Sequence, residues 1–158
     1  MYIFWDAVSL SLIPLIAAPI GLYIRTKDTK YIPVIMSIVI TEIIISFSRQ
    51  LPAFHPVMMR PVGAKNCNLF NSGGSYDGQL AMPSGHMMLT TCISFSLLFI
   101  YMGTTDLKTI AVINPAAFSS VIIYIFLMGG SRIMRGCHNI PQVLIGGLIG
   151  FALAYTLY

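Results

Sequence analysis

The chain has 158 residues, 56% of them apolar and 9% charged, with a mean hydropathy of +0.81, whereas a soluble domain carries about a quarter charged residues. Nine Lys/Arg and five Asp/Glu cannot cover a water-facing surface of this size, which excludes the soluble globular, disordered and nucleic-acid-binding classes together. What remains is an integral membrane protein, in which a net charge of +4 matters by where its few members sit.

About 20 mostly apolar residues cross a bilayer core, and a lone span must satisfy its own backbone hydrogen bonds, so long uncharged runs are read as helices. The first run is 7–24. Asp6 stands where a signal peptide would carry Lys or Arg, and no small-residue cleavage site precedes Arg25, so this run is expected to be retained as a span. The second, 31–48, contains Glu42; an unpaired carboxylate is costly there, so Glu42 is expected to face the bundle and to pair with an Arg or be protonated. The third is 87–105. The fourth, 109–131, holds Asn114-Pro115 near its start, and regular helix is expected to begin only after that pair. In the fifth, 139–158, Gly146, Gly147 and Gly150 allow close helix contact inside the bundle. With no internal repeat, low-complexity tract or second domain, the expected fold is all-α: a single five-span membrane domain over 1–158.

The connections are unequal. Residues 25–30 and 106–108 are short hairpins, whereas 50–83 is long and punctuated by Pro52, Pro56, Pro61, Gly63, Gly73, Gly74, Gly78 and Pro83; long loops of this kind tend to carry function. Alternating spans place this loop on one face with the N-terminus and the 131–137 turn, and the two hairpins on the other. His55, His86 and His138, with Arg49, Arg60, Lys65, Arg132 and Arg135, all map to the loop face or to span ends opening on it. Snorkelling at an interface accounts for Lys and Arg but not for the convergence of His, so the cluster points to an anionic ligand.

Three short motifs sharpen this. Arg60-Pro61 follows the second span, Ala-Met-Pro-Ser-Gly-His (81–86) leads into the third, and Gly-Ser-Arg-Ile-Met-Arg-Gly-Cys-His (130–138) bridges the fourth and fifth. The planar forks of Arg60 and Arg132 suit phosphate oxygens better than Lys would. Ser84 falls where a helix N-cap belongs, so the N–H groups of Gly85 and His86 point at an anion, and Gly85 permits close approach. Each residue also has a plain structural reading: Ser84 as a cap, Arg132 and Arg135 as interface anchors, His86 as a hydrogen-bond partner of a helix end. In their order the motifs resemble those of the type-2 phosphatidic acid phosphatase superfamily, which includes lipid phosphate phosphatases, glucose-6-phosphatase and vanadium haloperoxidases. The resemblance runs from Arg60 through the final helix. It implies that His138 attacks phosphorus to form a phosphohistidine, that His86 protonates the leaving oxygen, and that Arg60, Ser84, Gly85 and Arg132 hold the phosphate. No metal and no cofactor are implied. The implied partners are the lipid bilayer and a lipid phosphate or polyprenyl diphosphate substrate.

Two positions depart from the family pattern. Ala53 stands seven residues before Arg60-Pro61, where the family has Lys; Lys65 and Arg49 are candidate replacements. Gln142 stands four residues after His138, where most of the family has Asp. Gln accepts the same Nδ1 hydrogen bond but supplies no charge, and the glucose-6-phosphatase branch carries Gln there. Gln142 also has the spacing of a capping box with Asn139. Ala53 leaves open a catalytically silent scaffold that keeps the fold and the cradle; Gln142 leaves open a phosphatase for a soluble sugar phosphate. Lys and Arg number four on the hairpin face and five on the loop face. Setting Arg60 and Arg132 aside as site residues favours a cytoplasmic hairpin face, hence an extracytoplasmic or lumenal active face. Cys67 and Cys137 fall on that face and can pair there, while Cys92 lies within the third span.

Overall fold

The computed structural model describes residues 2–52 and 55–158, so the substituted position Ala53 lies outside the described residues. Seven helices follow in order: α1 (Tyr2–Leu10), α2 (Leu12–Thr26), α3 (Ile32–Ser48), α4 (Gly85–Met102), α5 (Leu107–Ile113), α6 (Pro115–Met134) and α7 (Ile140–Leu157). Five stretches are long and apolar enough to span a membrane. The chain is an all-helical, multi-pass integral membrane protein, and no strand forms among the described residues.

Local chemistry explains where these helices differ from the apolar runs. The first stretch covers Ile3–Thr26, starting earlier than 7–24, and is broken between α1 and α2. Pro14 has no N–H for the Leu10 carbonyl and its ring crowds that oxygen. At the break the Ser11 hydroxyl donates to the Val8 carbonyl at 2.6 Å and meets the Tyr124 hydroxyl at 2.8 Å. The fourth run splits at Asn114: its side chain accepts from the Ala117 N–H at 3.0 Å, and Pro115 opens α6, where a missing N–H costs nothing. Because α6 continues to Met134, Arg132 belongs to its last turn rather than to the connecting loop; the chain reverses instead at Gly136, with φ 66°.

Helix α4 is the axis of the bundle, 72% buried where no other span exceeds 28%. Its buried Thr90, Thr91, Ser94 and Ser96 keep its girth small. Against it lies α7, brought close by two glycines. A Cβ on Gly146 would sit 2.6 Å from the Ser84 carbonyl oxygen, and one on Gly150 would collide with the Met88 carbonyl. Gly147 differs, since a Cβ there makes ordinary contact with Met87 at 3.5 Å. Gly146→Ala is therefore expected to push α7 off the start of α4 and to destabilise by about 1–3 kcal/mol. Gly147→Ala is expected to be nearly neutral; thermal melts of the detergent-solubilised variants check the contrast.

The loop after α3 is ordered by its own pairings. Isolated antiparallel bridges join Met59 to Leu80 and Lys65 to Ser75. The Arg60 N–H donates to the Gln79 carbonyl and the Ala81 N–H to the Met58 carbonyl, each at 2.8 Å. A Cys67–Cys137 disulfide, with Cα atoms 5.5 Å apart, ties this loop to the turn between α6 and α7, while Cys92 is free and buried in α4.

Candidate active site

The start of α2, the end of α3, the start of α4, the returning loop and the turn before α7 border a cavity of about 210 Å³, walled by Arg49, Arg60, Gly85, His86 and His138 and, on its apolar side, by Leu12, Ile45, Leu69 and Leu89. Arg60, His86 and His138, chosen from separate sequence motifs, thus meet in one place. Ser84 and Arg132 are fully buried and stand outside the wall itself. Gly85 lies where a Cβ would come 2.7 Å from Ile45 Cδ1, so its missing side chain serves the contact of α3 with α4 as well as the opening of the helix.

The tautomer of His138 follows from its neighbours. Gln142 Nε2 donates to the Val57 and Met59 carbonyls at 2.8 and 2.7 Å, which fixes its Oε1 toward the ring, 3.0 Å from His138 Nδ1. An amide oxygen only accepts, so Nδ1 carries the proton and Nε2 keeps its lone pair. That Nε2 lies 3.4 Å from Arg60 Nη1. Burial first, and then the charges of Arg60 and Arg132, hold the His138 imidazole well below its ordinary value of 6.5, against the opposing Gln142 bond. The group is depressed, so it stays neutral and nucleophilic at pH 7 and protonates only under more acidic conditions. Ring-nitrogen NMR of His138 is expected to show a midpoint below 6.5, and Arg60→Gln to raise it; a wild-type midpoint at or above that value would contradict the assignment.

Gln142 performs both of the roles its position allows. Besides holding His138, it completes a capping box, its N–H donating to Asn139 Oδ1 at 3.1 Å and its Oε1 accepting from the Asn139 N–H at 3.3 Å. An Asp at this position would add charge beside His138 but leave the Met59 carbonyl without its donor and the Val57 carbonyl with only the Asn139 side-chain N–H, at 2.9 Å. Gln142→Asp is therefore expected to lower thermal stability by about 1–3 kcal/mol and not to raise turnover, as melting and initial-rate measurements would show.

The arginines divide by task. Arg60 donates from Nη1 to the Cys137 carbonyl at 2.9 Å and lies over the Tyr76 ring, 5.1 Å from its centroid. Burial, then the charge of Arg49, pushes it down to about 10, with Tyr76 opposing, so it is cationic at neutral pH. Arg132 donates from Nη1 to Ser9 Oγ at 2.7 Å and from Nη2 to the Cys67 carbonyl at 2.6 Å. Arg135 points away from the cavity, pairing with Asp6 at 2.7 Å and donating to Asn71 Oδ1 at 2.5 Å and the Asn66 carbonyl at 3.0 Å. Its reading as an anchor is the one the contacts support.

Several expectations are corrected. His55 stays exposed outside the cavity, its Nδ1 accepting from the Val57 N–H at 3.2 Å, so the imidazole cluster has two members. Ser84 occupies the N-cap position of α4 but its hydroxyl caps nothing; its N–H donates to the Gln142 carbonyl at 3.0 Å. Lys65 lies outside the cavity wall, whereas Arg49 lies on it. Glu42 also lines the cavity and forms no ion pair among the described residues, because α3 carries it on an open face. Ser9, buried on α1, escaped the sequence reading; a hydroxyl in an apolar run was its only trace.

Four side-chain atoms at this end of the bundle are buried without a hydrogen-bond partner: Arg60 Nε, Ser84 Oγ, His86 Nε2 and Arg132 Nε. Orphaned buried polar atoms are rare and call for a ligand, water or function. Donors and positive charge dominate the set, which fits an anion. No group of three or more His, Cys, Asp or Glu able to hold a metal ion occurs among the described residues.

A helical membrane bundle that gathers Arg60 from a long loop, His86 from a helix start and His138 from the turn after α6, with Arg132 in the last turn of that helix behind them, has the fold of a membrane phosphatase. The chain belongs to the PAP2 superfamily, whose sequence pattern matches residues 30–158. The crystal structure of a transmembrane PAP2-type phosphatidylglycerolphosphate phosphatase from Bacillus subtilis is similar in fold, with a TM-score of 0.72 over 99% of this chain and 74% of that one at 17% identity. Among functionally curated proteins none matches the sequence. The family match starts at Lys30, so α1, which supplies Ser9 and Asp6 to the arginine network, lies before it.

Proposed function

We propose that the protein hydrolyses a lipid phosphate or polyprenyl diphosphate through a phosphohistidine on His138. The observation that carries this reading is the set of unpartnered atoms on Arg60, Ser84, His86 and Arg132 around a neutral His138. In the proposed reaction Arg60, Arg132, Ser84 and the N–H groups at the start of α4 bind the phosphoryl oxygens. His138 Nε2 attacks phosphorus, and the bond to the leaving oxygen breaks as His86, in its imidazolium form, gives that oxygen a proton. Water then attacks the phosphohistidine, yielding its proton to His86 and releasing phosphate and neutral His138. No step calls for a metal or cofactor. A site at the membrane surface favours a substrate already anchored in the bilayer over a soluble sugar phosphate. An extracytoplasmic or lumenal active face is supported by the Lys/Arg distribution and by the disulfide on that face.

The test is phosphate release by the purified protein, with chelator present, from phosphatidic acid, phosphatidylglycerolphosphate, a polyprenyl diphosphate and glucose 6-phosphate, each alongside His138→Ala. Release from a lipid substrate that vanishes in the variant is expected. No release by the wild type, or equal release by both, would overturn the enzyme reading and leave a silent scaffold; release from glucose 6-phosphate alone would move the substrate to the soluble class.

A further inference from the structure

The two guanidiniums assigned to the phosphate are held crosswise by the two half-cystines. Arg60, on the long loop, donates to the carbonyl of Cys137, in the turn after α6. Arg132, on α6, donates to the carbonyl of Cys67, on the long loop. Each arginine is thus oriented by the segment that carries the other, and the disulfide joins those two segments. Cys67 and Cys137 are themselves buried, with Ala64 and Tyr76 packed around them, and His138 follows Cys137 directly. The Arg132 carbonyl accepts from the N–H groups of both Cys137 and His138, at 3.0 and 3.2 Å.

A guanidinium is a rigid planar fork, so tying one or two of its N–H groups to fixed acceptors sets where the rest point. In both arginines the Nε is buried without a partner. The carbonyls of Cys67 and Cys137 therefore aim donors that the phosphate would take. The loop has other ties to the bundle, including Arg135 to the Asn66 carbonyl at 3.0 Å and Ser9 to Asn71 at 3.0 Å. Opening the disulfide should thus shift the two carbonyls relative to one another while the loop stays attached.

We infer that the Cys67–Cys137 disulfide is a positioning element of the phosphate site, so that anion affinity there depends on the disulfide being formed. This rests on the phosphatase reading above. Reduction by a dithiol breaks the S–S bond and places two electrons and two protons on the sulfurs as thiols, the reductant closing to its own disulfide. With both carbonyls released, the two forks lose their common register.

Orthovanadate, as the phosphate probe, would be titrated onto the full-length protein in detergent before and after dithiothreitol, with thiol labelling to count the opened cysteines and circular dichroism to follow the helices. Reduction is expected to weaken vanadate binding about tenfold while the helical signal is kept, and reoxidation to restore it. The Cys67→Ser/Cys137→Ser protein should match the reduced form and no longer respond to dithiol; Cys92→Ser should respond like the wild type. Two outcomes would overturn the inference: affinity within twofold after verified reduction, or binding lost only in proportion to lost helix, which would make the disulfide a staple of the fold alone. Should the double variant not fold, the reduction arm decides by itself. Oxidised wild type that neither binds vanadate nor releases phosphate would instead bring down the phosphatase reading, a failure told apart by its appearing before any reductant is added.

Discussion

His138→Ala is expected to lower phosphate release by about four orders of magnitude or more and to leave no acid-labile phosphoprotein when the reaction is quenched. The size of the effect follows from the surroundings of the ring. No other imidazole stands in the same electrostatic and geometric position: His86 belongs to the first turn of α4, and its proposed task is proton transfer to the leaving oxygen. The tautomer is fixed from behind by Gln142, itself fixed by the Val57 and Met59 carbonyls. Alanine therefore removes the nucleophile without disturbing the scaffold that oriented it. Measured kcat should collapse while the melting temperature moves little, because 3.0 Å of Gln142–ring contact is one hydrogen bond, worth about 1 kcal/mol net. Turnover by the variant within tenfold of the wild type would exclude a phosphohistidine on this residue.

Arg132→Ala should be the most damaging substitution to site and fold at once. The side chain is fully buried and its two terminal nitrogens are both engaged. Truncation leaves the Cys67 carbonyl without its donor, leaves the Ser9 hydroxyl only the long contact of Arg135 Nη1, at 3.5 Å, as a donor, and opens a void at the end of α6. A loss of about 3–5 kcal/mol is expected, seen as a lowered melting temperature, together with loss of measurable vanadate binding. Arg132→Lys separates the two effects. It keeps the charge, but an ammonium cannot span Ser9 and Cys67 as a fork does, so stability should be partly regained and anion affinity far less so. Recovery of full affinity with Lys would mean that charge alone, not fork geometry, is what this position supplies.

The spans were legible because a bilayer admits so few solutions for an apolar run, and the convergence of Arg60, His86 and His138 on one cavity because their motifs lie at span ends that open on the same face. What the linear order withheld depended on direction. Arg132, in the last turn of α6, and Arg135, just beyond its end, are equally plausible as ligands, yet the first is fully buried on Ser9 and the Cys67 carbonyl and the second is drawn to Asp6, Asn71 and the Asn66 carbonyl. Which way each turns is set by where α1 lies against α6, a packing fact with no local signature. Ser9 was hidden for the same reason. For Glu42 the cost of a carboxylate in a span predicts either an Arg partner or a proton, and α3 turns it to the cavity wall with no ion pair among the described residues. Pro14 did carry the break in the first span, but a proline within an apolar run kinks some helices and merely perturbs others.

The contacts that assemble the cradle join residues far apart in synthesis order: Ser9 to Arg132, separated by 123 positions, and Cys67 to Cys137, separated by 70. A nascent chain that has emerged only through α4 already contains Ser9, Arg60, Cys67 and His86, but lacks Arg132, Cys137 and His138. During that interval the disulfide partner of Cys67 has not been made, and the long loop is held covalently by its two chain ends alone. The proposed anion site therefore closes only once α6 and the start of α7 have been delivered, and ribosome-stalled chains ending before Arg132 should carry the fold's central helix without the complete pocket.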